Sequence, residues 1–218
     1  MKFYWGSGSP FSWRAMLALI IKEVEFEDEL LEFSKKQHKS PEYLALSPRG
    51  KVPALVDGDT VVTESLAIIT YIDRKVPTPP LFGETAAEAG QIAQRFYEHE
   101  NYVGKAAGEV MAPLFRGQAS ERAEHIRERA KTMHEELASF DSLLESSPWL
   151  GGERISAADI VFYPTVCLVD RMAERPDVAE LDLGVSSIAD AHPRLADFKQ
   201  RFAALPGVDR AHPPHWKR

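Results

Sequence analysis

The sequence predicts a two-part chain: an α/β domain over residues 1–76, a linker at 77–84, and an all-helical domain over 85–218. Three observations carry that prediction. Up to Val76 the apolar residues alternate between short runs and helical spacing, which is the mark of strands mixed with helices. Pro77-Thr78-Pro79-Pro80 can be neither helix interior nor central strand, because proline fixes φ and lacks a donor. Beyond Gly83 the apolar positions recur almost throughout at three- and four-residue intervals.

The elements follow in order. Lys2-Phe3-Tyr4-Trp5 is short and aromatic and ends at the turn-rich Gly6-Ser7-Gly8-Ser9-Pro10, so it reads as a strand and a loop. Residues 12–23 place Trp13, Met16, Leu17, Ile20 and Ile21 on one helix face, with Ser9 or Ser12 as cap and Pro10 suited to the first turn. Residues 25–30 predict a second strand. Residues 53–57 and 60–63 predict a hairpin, because Asp57-Gly58 is a strong turn signal. Glu64-Ser65 opens a helix with Ile68, Ile69, Ile72 and Val76 on one face. In the second half, helices are expected over 88–111 as one long rod, 120–144, 156–175 and 193–204. Ser156 and Asp159, with Ile155 before them, form a helix-start signal. His192, His212 and His215 lack the spacing of helical zinc ligands and are expected at the surface; no metal site is expected.

Composition excludes several classes. The 218 residues carry a net charge of −7 and a pI near 5.5, so neither a nucleic-acid backbone nor an anionic membrane is an expected partner. No apolar run approaches the roughly 20 residues that span a bilayer. No secretory signal is visible at the N-terminus, and Cys167 is the sole cysteine, which points to a reducing, cytoplasmic setting.

Three constellations could carry chemistry. The Gly6–Ser12 turn enters a helix N-terminus, where free N–H groups and the positive dipole end suit an anion; the same serines also serve simply as caps. There is no phosphate-loop glycine pattern here, and no histidine lies near in sequence. Pro53 begins a strand, as a trans edge proline or as a cis proline that turns the Val52 backbone outward toward an extended peptide. Ser65 as an N-cap can seat a carboxylate while Glu64 meets an ammonium, so the pair fits both ends of an α-amino acid, or it is a plain helix cap.

Taken together, Ser9-Pro10-Phe11-Ser12-Trp13-Arg14, His38-Lys39-Ser40-Pro41-Glu42, Ser47-Pro48-Arg49-Gly50-Lys51-Val52-Pro53-Ala54-Leu55 and Thr63-Glu64-Ser65-Leu66-Ala67-Ile68 resemble the glutathione S-transferases of the serine type, with phi-, tau- and zeta-like features. Their order, the proline linker and the Ser156–Ile160 segment extend the resemblance over nearly the whole chain. It implies a thioredoxin-like N-terminal domain that binds glutathione as co-substrate, Ser9 as the catalytic hydroxyl, and a cytoplasmic homodimer. By the same resemblance, Val52 pairs with the cysteinyl unit before cis Pro53, Glu64 and Ser65 hold the γ-glutamyl end, and His38, Lys39 and Lys51 approach the glycine carboxylate. Phe11 stands where redox branches of the family carry cysteine, which disfavours thiol–disulfide exchange through an enzyme thiol and leaves Phe11 beside the bound glutathione. Trp5, Phe11, Tyr97, Asn101, Tyr102, Lys105 and Phe115 are expected to line the pocket for a hydrophobic electrophile. Two other readings accompany conjugation: a glutathione-dependent isomerase of the zeta (maleylacetoacetate) type, and a non-catalytic binding or assembly module.

One hydroxyl suffices for the implied chemistry. A free thiol with a pKa of about 8.5 is only a few per cent ionised at pH 7. A hydrogen bond to the charged sulfur stabilises it by about 1.5–3 kcal/mol, which at about 1.4 kcal/mol per unit lowers the pKa by roughly one to two units. A helix N-terminus adds about 0.3–1 kcal/mol. Ser9 is then a donor to sulfur and needs no histidine.

Overall fold

The computed structural model describes residues 1–183 and 188–216, which divide into two compact units: Met1–Leu81 with the C-terminal segment from Ala203, and Phe82–Phe202. The C-terminal segment, expected with the helices, thus packs with the α/β part.

In the first unit, β1 (Lys2–Trp5) pairs in parallel with β2 (Glu27–Leu30) across α1 (Pro10–Ile21), since parallel neighbours need a crossover element. After α2 (Pro41–Leu46), β3 (Ala54–Asp57) and β4 (Thr60–Thr63) form the expected hairpin at Gly58, whose φ is +58°. The sheet order β2-β1-β3-β4, with β3 antiparallel to β1, is the thioredoxin-like arrangement. The charges of Glu27, Asp28 and Glu29 on exposed β2 discourage edge-to-edge pairing. Phe3, Leu17 and Leu55 are fully buried together with Ile68, Ile69 and Ile72 of α3 (Ser65–Lys75). Helix α1 begins two residues earlier than its apolar spacing suggests, because Ser9 caps it and Pro10 opens it. Ser40 caps helix α2, with its Oγ accepting from Tyr43 N at 3.2 Å.

The linker is tied to this unit by charge. Lys22 Nζ, fully buried, donates to Asp73 Oδ1 at 2.7 Å and to the Pro79 carbonyl, and Leu81 N donates to Asp73 Oδ1 at 2.8 Å.

The second unit contains α4 (Ala86–Glu98), α5 (Gly104–Phe115), α6 (Ala123–Leu143), α7 (Ala157–Ala173), α8 (Pro176–Leu181), α9 (Ile188–Ala191) and α10 (Pro193–Ala203). The single rod expected over 88–111 is continuous from α4 into α5, but it widens to a π turn at His99–Val103. Buried His99 shares a 2.8 Å hydrogen bond with Thr165 Oγ1 there, and a side chain anchored in the core can hold such a widened turn. Helix α7 is buried on nearly all sides and is started by the predicted capping box, Ser156 with Asp159. His192 is not at the surface as expected: it is 4% exposed, and its Nε2 lies 3.0 Å from His134 Nδ1. His215 is exposed and His212 half-buried.

Candidate active site

The first unit holds a cavity of about 350 Å³ lined by Phe11, Ser47–Arg49, Lys51–Pro53 and Thr63–Ser65. Three chain segments meet there because the sheet order sets the start of α1, the loop before β3 and the β4–α3 junction side by side.

Ser9 is the N-cap of α1, half-buried, and its Oγ accepts Ser12 N–H at 3.2 Å. A hydroxyl offers one donor and two acceptor lone pairs, so this bond uses an acceptor and leaves the proton available to donate. Ser9 itself does not line the cavity; its neighbour in α1, Phe11, does, half-exposed and with the Arg14 guanidinium 4.8 Å from its ring centre. The other two serines of the turn are engaged differently. Ser12, 1% exposed, accepts Gly6 N–H at 3.2 Å, and Ser7 shares a 2.7 Å hydrogen bond with His215 Nδ1.

The Val52–Pro53 bond is cis. Ahead of it the Lys51 carbonyl accepts from Tyr43 Oη at 2.6 Å and Ser47 Oγ at 2.9 Å, so the loop is pinned where it turns toward the cavity. Burial pushes the Tyr43 phenol up to about 12, so it stays a donor. Gly50 has φ +57°, and a Cβ there would lie 2.7 Å from the His38 carbonyl. His38 and Lys39, expected at the glycine carboxylate, lie beside Gly50 and are not among the lining residues. Lys39 Nζ donates to the Arg49 carbonyl at 3.1 Å. The cavity's cationic side chains are Lys51 and Arg49, of which only Lys51 was anticipated.

At the third segment Glu64, not Ser65, is the N-cap of α3, with φ +69° and no side-chain cap bond. A non-glycine residue held there costs of order 1–3 kcal/mol, a strain that gathers at binding sites. The result is an exposed carboxylate beside the free N–H groups of a helix start. Ser65, 3% exposed, accepts from Arg14 Nε at 2.7 Å and keeps its hydroxyl proton to donate. The buried Arg14 supports the site through Ser65, a role that no sequence expectation gave it. Its only sequence signal was a cation on an otherwise apolar helix face.

Of the expected electrophile-pocket residues, Trp5 ends β1 with its Nε1 donating to Asp28 Oδ2 at 2.9 Å. In the second unit Tyr97, Asn101, Tyr102 and Lys105 are exposed in and around the π turn, and Phe115 is exposed at the end of α5. Among the described residues, no group of three or more His, Cys, Asp or Glu is placed to hold a metal ion.

Two family models match this chain: the glutathione S-transferase N-terminal domain over residues 1–74 and the C-terminal domain over 102–206. Glutathione S-transferase F10 of Arabidopsis thaliana is 35% identical over 158 residues, covering 69% of this chain and 73% of its own length. The chain belongs to the glutathione S-transferase family. A glutathione S-transferase crystal structure from the Antarctic clam Laternula elliptica superimposes with a TM-score of 0.86 at 30% identity, over 99% of this chain and 93% of that one. Maleylacetoacetate isomerase of Pseudomonas aeruginosa is 27% identical over 98% of this chain and 96% of its own. In this glutathione S-transferase frame the cavity falls wholly within the N-terminal family match. No helix among the described residues is long and apolar enough to cross a membrane.

Proposed function

We propose that the protein binds glutathione in the cavity of its first unit, ionises the thiol beside the Ser9 hydroxyl, and conjugates the sulfur to a hydrophobic electrophile. The observation that carries this reading is the convergence of Glu64, Ser65, Val52 and Lys51 on one cavity next to the capped start of α1. The ligand's γ-glutamyl ammonium pairs with Glu64, and its carboxylate takes the Ser65 hydroxyl and the first N–H groups of α3. The cysteinyl unit pairs with the Val52 backbone, and the glycine carboxylate meets Lys51 with Arg49 near, while His38 and Lys39 support the loop from behind. Ser9 donates to sulfur; the thiol proton leaves to solvent, and the thiolate attacks the electrophilic carbon, forming the C–S bond as that carbon's bond to its leaving group breaks and the group departs with the electron pair.

Within the second unit, the exposed Tyr97, Tyr102 and Phe115, with Asn101 and Lys105, are the side chains offered to the electrophile. Residues 1–76 are the glutathione domain, 77–84 the linker and the helical part the acceptor side. The working form is a homodimer in the cytoplasm.

The deciding experiment follows thiolate absorbance of bound glutathione against pH, in the wild type and in Ser9→Ala. Expected is a thiol pKa below that of free glutathione, raised by roughly one to two units in the variant. A variant with an unchanged pKa removes Ser9 from the role. Consumption of glutathione in step with product distinguishes conjugation from isomerisation, which returns it intact.

A further inference from the structure

The C-terminal segment returns to the serine turn of the first unit. Short 3-10 turns at Val208–Ala211 and Pro214–Trp216 end the described chain. Gly207, with φ +75°, would place a Cβ 3.1 Å from Ile20, so the segment lies close on α1. Trp216 and His212 meet buried Trp13 of α1 edge-on, with ring centres 5.3 and 5.6 Å away. Beyond that seat, His215 Nδ1 lies 2.7 Å from Ser7 Oγ. A Cβ at Gly8, whose φ is +80°, would sit 3.0 Å from His215 Cε1. The imidazole therefore lies across the Ser7-Gly8 step that leads into Ser9.

We propose that His215 is a positioning residue for the reaction: its hydrogen bond to Ser7, seated by the Trp13–His212–Trp216 ring cluster, fixes the turn that aims the Ser9 hydroxyl at sulfur. This rests on the reading of Ser9 above. A turn of two glycines and two serines is intrinsically loose, since glycine adopts either sign of φ at little cost. Its two ends are held, through the Ser9 cap, the Gly6 N–H bond to Ser12 and the Ser9 N–H bond to the Gly6 carbonyl, whereas the Ser7 side chain between them takes its contact from outside the turn. Ser7–His215 supplies that contact from more than 200 positions away in sequence. His212 is a second ionisable group in this segment's ring cluster.

The test measures the thiol pKa of bound glutathione in Ser7→Ala, His215→Ala, His215→Asn, the Ser7→Ala/His215→Ala double variant and Ser9→Ala. Expected is a rise of about half to one unit in each alanine single variant, with kcat/KM at pH 6.5 falling about 2- to 10-fold. The double variant should show no further rise, because the two side chains form one contact. His215→Asn, which keeps a polar atom near the Nδ1 position, should stay close to wild type. A pKa unmoved in His215→Ala and Ser7→Ala while it rises in Ser9→Ala overturns the proposal and leaves Ser9 in its role. Additive shifts in the double variant, or an asparagine variant as impaired as the alanine one, also overturn it. If Ser9→Ala itself changes nothing, the reading of Ser9 fails and this inference falls with it. Ser7→Ala deletes one half-buried hydroxyl only, so the test survives even if changes at His215 loosen the C-terminal segment.

Discussion

Hydrogen-bond bookkeeping at single side chains separates the three serines of the first turn better than their order does. Ser12 is buried and holds Gly6, Ser7 is joined to His215, and Ser9 spends only an acceptor lone pair on its helix. At the same scale, Arg14 and Ser65 act together. Arg14→Met should raise the KM for glutathione about 10-fold or more, because a charged hydrogen bond worth about 1.5–3 kcal/mol no longer holds Ser65 in the cavity wall. Steady-state kinetics at varied glutathione checks it, and an unchanged KM would separate Arg14 from ligand binding. Cys167 is buried, and its thiol is pushed up to about 12 by that burial. It should therefore resist thiol reagents at pH 7 in the folded protein, which makes thiolate absorbance report the bound glutathione alone.

Among the elements, helix α7 carries the clearest pH dependence. Asp159 is fully buried at its start, and burial outweighs the bonds from Ser156 and Leu150 to raise its pKa to about 6. Its folded pKa thus exceeds the ordinary carboxyl value, so the folded state holds the proton more tightly. The stability this confers is complete below about pH 4 and is lost as pH rises through about 6. Between those limits the wild type should lose about 2–3 kcal/mol relative to Asp159→Asn. Urea unfolding of both proteins across pH 4–7 measures the difference; parallel curves would refute it. The loop before β3 makes a second prediction. Gly50→Ala must adopt φ +57° and push against the His38 carbonyl, so it should lose at least about 1 kcal/mol of stability and weaken glutathione binding together.

For the molecule as a whole, the telling feature of the first unit is the buried Lys22–Asp73 pair, which also gathers the Pro79 carbonyl and Leu81 N. Removing one partner leaves an uncompensated buried charge, so Lys22→Met should cost about 3–5 kcal/mol, whereas Lys22→Met with Asp73→Leu should recover much of it. Equilibrium unfolding of the single and double variants decides whether the pair is a matched unit.

Both halves of the architecture were legible in the chain, because strand and helix periods are local properties and the proline cluster at 77–80 cannot join either. The hairpin at Gly58, the α7 capping box and the Glu64-Ser65 junction were legible for the same reason: each is written within a few residues. What the chain order concealed lies between distant segments. Arg14 reaches Ser65, Arg49 enters the cavity, and His38 and Lys39 lie beside Gly50, because the sheet order and not sequence separation decides which loops adjoin. The π turn at His99–Val103 and the pairing of His192 with His134 likewise depend on partners from other helices. Sequence alone determined the strands, the hairpin, the longer helices and the positions of the charged and hydroxyl side chains; tertiary packing chose which of those side chains share a cavity, since hydrogen bonds and burial act through space and loop lengths hide the distances they span.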